Sequence, residues 1–179
     1  MAMNIPDHYR ALYRTWLRYA IVMMVFGLLI GLSFEESAKR APVSDLLPAG
    51  LHMEAILPLA LVHGHAFLLG AVLPLALVFM LHLGLTLGFR PLGAKTLKTA
   101  TWLYLPGSAL SVALLLYKGY HWVLGVRFGH TDFAAWNGAF FGGNQALRAA
   151  SYGIAHTAMA VGMAVLVIAF WRSMNAKED

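Results

Sequence analysis

Four apolar stretches constrain this chain more than any other feature, because each is long enough to cross a bilayer as a helix. Such a crossing takes about 20 residues. The stretches cover residues 16–34, 56–87, 100–124 and 149–171. They are rich in Leu, Ala and Met and show no polar–apolar alternation, so helices are expected and strands are not. The expected fold is all-α: one integral membrane domain, residues 1–179, built as a four-helix bundle. Composition agrees. The chain is 60% hydrophobic and 12% charged, where a soluble domain has about 45–50% and about 25%. The first stretch follows Arg10, Arg14 and Arg18, as a signal peptide would. No small-x-small cleavage site follows promptly, since the chain continues Ser33-Phe34-Glu35-Glu36. An uncleaved first helix is therefore expected.

The net charge of +5 does not point to nucleic acid, because the basic residues sit at the ends of apolar runs rather than in a stripe. Arg10, Arg14, Arg18, Arg90, Lys95, Lys98, Arg172 and Lys177 fall on one side, eight of the thirteen. The other side has Lys39, Arg40, Lys118, Arg127 and Arg148, balanced by Glu35, Glu36, Asp45, Glu54 and Asp132. The positive-inside rule then places both termini in the cytoplasm of a multi-pass cell-membrane protein, with loops 35–54 and 125–148 outside. Trp136, Phe140 and Phe141 suit the second outer loop to the membrane boundary. Gly27 and Gly31, and likewise Ala158 and Gly162, are spaced for close helix contact. Pro74 and Pro106 are expected to kink their helices, with Gly70 making room one turn before Pro74.

There is no cysteine. Disulfides, iron–sulfur clusters, thiolate-held haem and covalently attached c-type haem are thereby excluded, while histidine-held haem is not. Of eight histidines, three lie within apolar runs at one depth. His63 and His65 flank Gly64 in the second stretch, and His156 lies in the fourth. His63 is seven residues past Ile56, and His156 seven past Ala149, each roughly 10 Å below the outer boundary. Ionisable groups at such depth usually mark a site. Residues two apart on a helix point about 200° from each other, so His63 and His65 address different neighbours. Gly64 leaves a flat patch for a planar group. The plain alternative is that these histidines hydrogen-bond neighbouring helices. Lys118, His121, Arg127 and Arg148 cluster near the outer ends and together are suited to anionic groups above the histidines; taken singly, each is better accounted for by snorkelling to the interface. His82 lies roughly 25 Å further along the second stretch and belongs to no shared site. No Walker loop, HExxH or GxSxG occurs.

The run Leu61-Val62-His63-Gly64-His65-Ala66-Phe67-Leu68-Leu69-Gly70 resembles a central helix of the haem–copper oxidase catalytic subunit. There a His-x-His pair ligates two different haems from opposite sides. The run also resembles NnrS-type membrane proteins and a family of small four-helix membrane proteins related to both. Tyr104-Leu105-Pro106-Gly107, Lys118-Gly119 and Gly153-Ile154-Ala155-His156 are similar to that small family as well. The resemblance implies one four-helix arc of an oxidase-like subunit, with haem toward the outer side and propionates outward. The oxidase's complete copper site and its cross-linked tyrosine pattern have no counterpart in this chain, so oxygen reduction is not implied.

The expected function is b-type haem binding, for electron transfer or for binding a gas such as nitric oxide or oxygen. His63 and His65 are the candidate ligands, with His156 as the alternative, beside Gly64 and below Lys118, His121, Arg127 and Arg148. Copper at His63, His65 and His156 is a further candidate. The competing expectation is a haem-free small transporter, channel or metal-binding membrane subunit whose histidines carry protons or hold a divalent metal. A homo-oligomer, dimer or trimer, is expected with haem at the subunit interfaces, because His63 and His65 face opposite ways.

Overall fold

A computed structural model describes residues 5–39 and 49–175. Arg40, Asp45 and Lys177, three of the charges that orient the chain, lie outside the described residues. The described residues are helical throughout, apart from short turns, and contain no strand. The helices are α1 (Asp7–Lys39), α2 (Ala49–Phe67), α3 (Leu73–Thr86), α4 (Ala94–Arg127), α5 (Phe133–Gly138) and α6 (Gln145–Met174). A five-residue π-helical turn, Leu68–Val72, joins α2 to α3 without a break. Four helical rods result, each long and apolar enough to cross a membrane: Asp7–Lys39, His52–Thr86, Ala94–Arg127 and Gln145–Met174.

The second rod reaches the fourth through α3, where a Cβ on Gly84 would lie 2.7 Å from Phe170. α6 packs along α4, α4 along α2, and α2 along α1, while α1 also reaches α4. No extended contact joins α2 to α6. α4 is accordingly the most buried rod and α6 the least. Small residues set the α4–α6 spacing. A Cβ on Gly107 would fall 2.6 Å from the Met159 backbone N, and one on Gly162 2.6 Å from that of Tyr104. The pair Ala158 and Gly162 thus belongs to an intramolecular contact, at least at Gly162. At the outward-turned faces, Ile21, Val25, Leu28 and Leu32 of α1 and Ile154, Val161 and Ile168 of α6 are exposed, as lipid requires.

Pro74 explains the π turn. It has no N–H, so the ladder of hydrogen bonds cannot continue regularly through it. The chain widens instead, and Leu73 N–H donates to Leu68 O, five residues back. Leu69 O is then satisfied from α4, by Tyr104 Oη at 2.7 Å and Ser108 Oγ at 3.3 Å. Tyr19 Oη of α1 donates to Ser108 Oγ at 3.0 Å. Three helices therefore meet at one polar knot in an apolar core, where unsatisfied groups would have no water to turn to. Trp16 stacks on Tyr104 with centroids 5.4 Å apart and donates to Thr101 Oγ1 at 2.9 Å. Gly70 sits inside the turn, where a Cβ would meet Met23 at 2.7 Å. At Pro106, α4 stays helical throughout.

Candidate functional site

The GxxxG of α1 holds side chains, not another helix backbone. A Cβ on Gly31 would lie 2.8 Å from His63 Nδ1, and one on Gly27 2.8 Å from the Phe67 ring. His63 and Phe67 are edge-to-face at 4.9 Å and fill this slot together. His63 Nδ1 is 2.8 Å from Gly27 O. A carbonyl only accepts, so Nδ1 carries the proton and Nε2 keeps its lone pair.

His65 points away from α1. Its Nδ1 is 2.8 Å from Leu61 O, one turn back on its own helix. His156 repeats the arrangement on α6, with Nδ1 2.8 Å from Tyr152 O. Its Nε2 lies 3.5 Å from Ser111 Oγ of α4, at the limit of a hydrogen bond. All three intramembrane histidines therefore spend Nδ1–H on a backbone carbonyl and keep Nε2 as the outward lone pair. Metal-bound histidines usually have this tautomer, with the second nitrogen anchoring the ring.

The fold brings His65 and His156 toward one groove. Leu59 of α2 lies against Gly119 of α4, and Leu69 O against Ser108. Between these marks His65 falls at the level of Val112, which packs with Val62 and Ala66 in one apolar cluster. The neighbouring Ser111 is the α4 residue beside His156. By helical phase, at 100° per residue, His65 stands on the flank of α2 turned toward α6. α2 and α6 thus wall a groove whose floor is α4. Gly64 instead turns out of the bundle: it is exposed, and a Cβ there would meet nothing within 4 Å.

Lys118 and Arg148 meet at the groove's mouth. They line a cleft of about 350 Å³ with Gln145, Ala149 and Tyr152. Arg148 is fixed there, with Nη1 3.4 Å from Asn137 O and its guanidinium 5.3 Å from the centre of the Phe140 ring. Tyr152 Oη donates to Leu114 O at 3.2 Å. His121 is engaged elsewhere. Its Nε2–H donates to Trp136 O at 3.0 Å, Trp136 Nε1–H returns a bond to His121 O at 3.0 Å, and the two rings stack at 4.5 Å. His130 stacks on the same indole at 4.0 Å. Arg127 is exposed at the end of α4 and lines none of this cleft. Of the four expected anion-binding residues, the fold gathers two.

At the opposite end His8 Nε2–H donates to Leu92 O at 3.0 Å, and His82 lies edge-on to Tyr13 at 6.1 Å. Both stand apart from the groove. Ser111 and Tyr152 join the site without having been singled out in the sequence. The signal for Ser111 was a small polar residue inside the apolar third stretch, and for Tyr152 a polar residue one turn before His156.

Among the described residues no three His, Asp or Glu side chains converge as a metal site would require. No protein-family model, curated protein or solved structure matches the chain.

Proposed function

We propose that this chain binds a b-type haem in the groove between α2 and α6, where His65 and His156 are the residues that would hold it. The observation behind this is the pair of Nδ1-anchored imidazoles, which leave Nε2 of His65 as an acceptor and Nε2 of His156 with Ser111 Oγ alone, at 3.5 Å; helical phase turns both rings toward one groove. Haem brings four nitrogens of its own and asks the protein for at most two more. A copper or zinc ion would ask this chain for three or four, and no such set converges among the described residues. Haem therefore fits the donors better than a bare ion. Lys118 and Arg148 at the mouth suit the anionic propionates. When bound, haem supplies one-electron chemistry or gas binding; the protein's part is to fix both rings and exclude water. His63, anchored on α1, takes the place of a neighbouring helix contact in this arrangement.

The fold supplies different neighbours for His63 and His65 within one chain, α1 and the α4–α6 side. The site therefore does not need a second copy. The homo-oligomer remains a separate part of the proposal, resting on the broad exposed faces of α1 and α6. The membrane is proposed to be the cell membrane, with both termini cytoplasmic, from the division of basic residues.

The test is direct. Protein expressed with ample haem and purified in detergent should show a Soret band, and acid–acetone should extract the pigment. A colourless pure protein would leave the transporter or channel subunit as the better account.

A further inference from the structure

The end of the bundle that holds both termini carries a second basic cleft, unrelated to the histidines. Its volume is about 260 Å³, between the α3–α4 loop and the last turns of α6, and Arg90, Leu92, Gly93, Ala169, Arg172 and Ser173 line it. The loop is held by two helices, α1 and α6. Leu92 N–H donates to Tyr9 Oη at 2.7 Å, and Leu92 O accepts from His8 Nε2 at 3.0 Å. Ser173 Oγ of α6 donates to Arg90 O. Phe89 packs edge-on against Phe170 at 6.1 Å. The backbone that carries Arg90 is thus fixed relative to α6, which carries Arg172.

Neither guanidinium has a carboxylate partner among the described residues; the ion pairs there are Arg10 with Asp7 and Lys39 with Glu35 and Glu36. Two forked donors beside one cleft match the oxygens of a phosphate. Leu92 and Ala169 give the same cleft an apolar wall. The cleft stands at the ends of the second and fourth apolar spans and the start of the third. A soluble anion would need no apolar wall, whereas a lipid brings a glycerol and acyl chains next to its phosphate. We propose that this cleft binds the phosphodiester headgroup of an anionic phospholipid. Basic pockets between transmembrane helices on the cytoplasmic side recognise lipids in this way.

Delipidated protein is titrated with phosphatidylglycerol and with phosphatidylcholine, and bound lipid is counted by native mass spectrometry. Phosphatidylglycerol should bind about tenfold tighter, and Arg90→Ala/Arg172→Ala should bring it to the phosphatidylcholine level. Arg127→Ala, at the opposite end, should change nothing. Equal binding of the two lipids, or an unchanged preference in the double variant, overturns the proposal. Inorganic phosphate that binds the wild type without lipid and displaces phosphatidylglycerol at equal concentration overturns the lipid assignment in favour of a soluble anion. Should the double variant fail to fold, Arg172→Gln alone is read: at least a threefold loss is expected, and no loss overturns the proposal. None of these readouts involves haem.

Discussion

Gly31→Ala should destabilise the protein by about 2 kcal/mol, although it adds a single methyl group to a helix. The new Cβ would lie 2.8 Å from His63 Nδ1 and 2.9 Å from Cε1. A ring cannot yield there without leaving Gly27 O, its partner at 2.8 Å. Overpacking of this kind costs about 1–3 kcal/mol. Loss of the hydrogen bond adds about 0.5–1.5 kcal/mol. Replacing helical glycine by alanine returns at most about 1 kcal/mol. The balance is a shift of roughly 30-fold in the folding equilibrium. Titration with sodium dodecyl sulfate in mixed micelles, followed by tryptophan fluorescence, measures it. Gly64→Ala is the internal reference, because nothing lies within 4 Å of its new Cβ; it should be neutral or slightly stabilising. Gly31→Ala/His63→Ala should show a coupling of about 1 kcal/mol or more, since removing the ring removes the clash. If Gly31→Ala unfolds with Gly64→Ala, or the double variant is merely additive, then His63 does not occupy the α1 slot.

The remaining predictions concern the site and its setting. His65→Ala and His156→Ala should each abolish or shift the Soret band while His82→Ala leaves it; unchanged visible and EPR spectra in both of the first two would refute the pair. Gly64→Leu should leave the haem spectrum intact, because Gly64 turns out of the bundle; loss of haem there would place the cofactor on the outward face, between subunits. A phosphatase fused after Asp179 should be inactive and a fluorescent protein bright, and an active phosphatase would reverse the orientation.

The spans were legible because an apolar run of bilayer length has few other uses. The common level of His65 and His156 along the bundle was legible for the same reason, since position along a helix follows from counting. Direction around the axis was only half legible. The opposed directions of His63 and His65 follow from a 100° step, but what stands on each side does not. Gly27 and Gly31 signalled a place of close approach without saying whether a backbone or a ring would fill it. His121 lay at the right depth for the anion cluster, yet Trp136 claims it, through a loop whose path no local pattern gives. The π turn was foreshadowed by Pro74, while its satisfaction by Tyr104 and Ser108 depends on which helix packs beside it.

A histidine hydrogen-bonded to its own helix one turn back has a partner for one ring nitrogen without any ligand. The Leu61 and Tyr152 carbonyls fix the proton on Nδ1 of His65 and His156, which leaves each Nε2 as an acceptor. Below the outer boundary of an apolar span, a polar group left without a partner costs about 1–3 kcal/mol. Ser111 at 3.5 Å offsets little of this for His156. A purely structural role would leave that cost standing on two helices at one level of the bundle. A shared electrophile in the groove removes it from both at once, and a haem iron needs no further donor from the chain. His63 differs from the other two: its ring also fills the slot at Gly27 and Gly31, so packing alone already accounts for its presence.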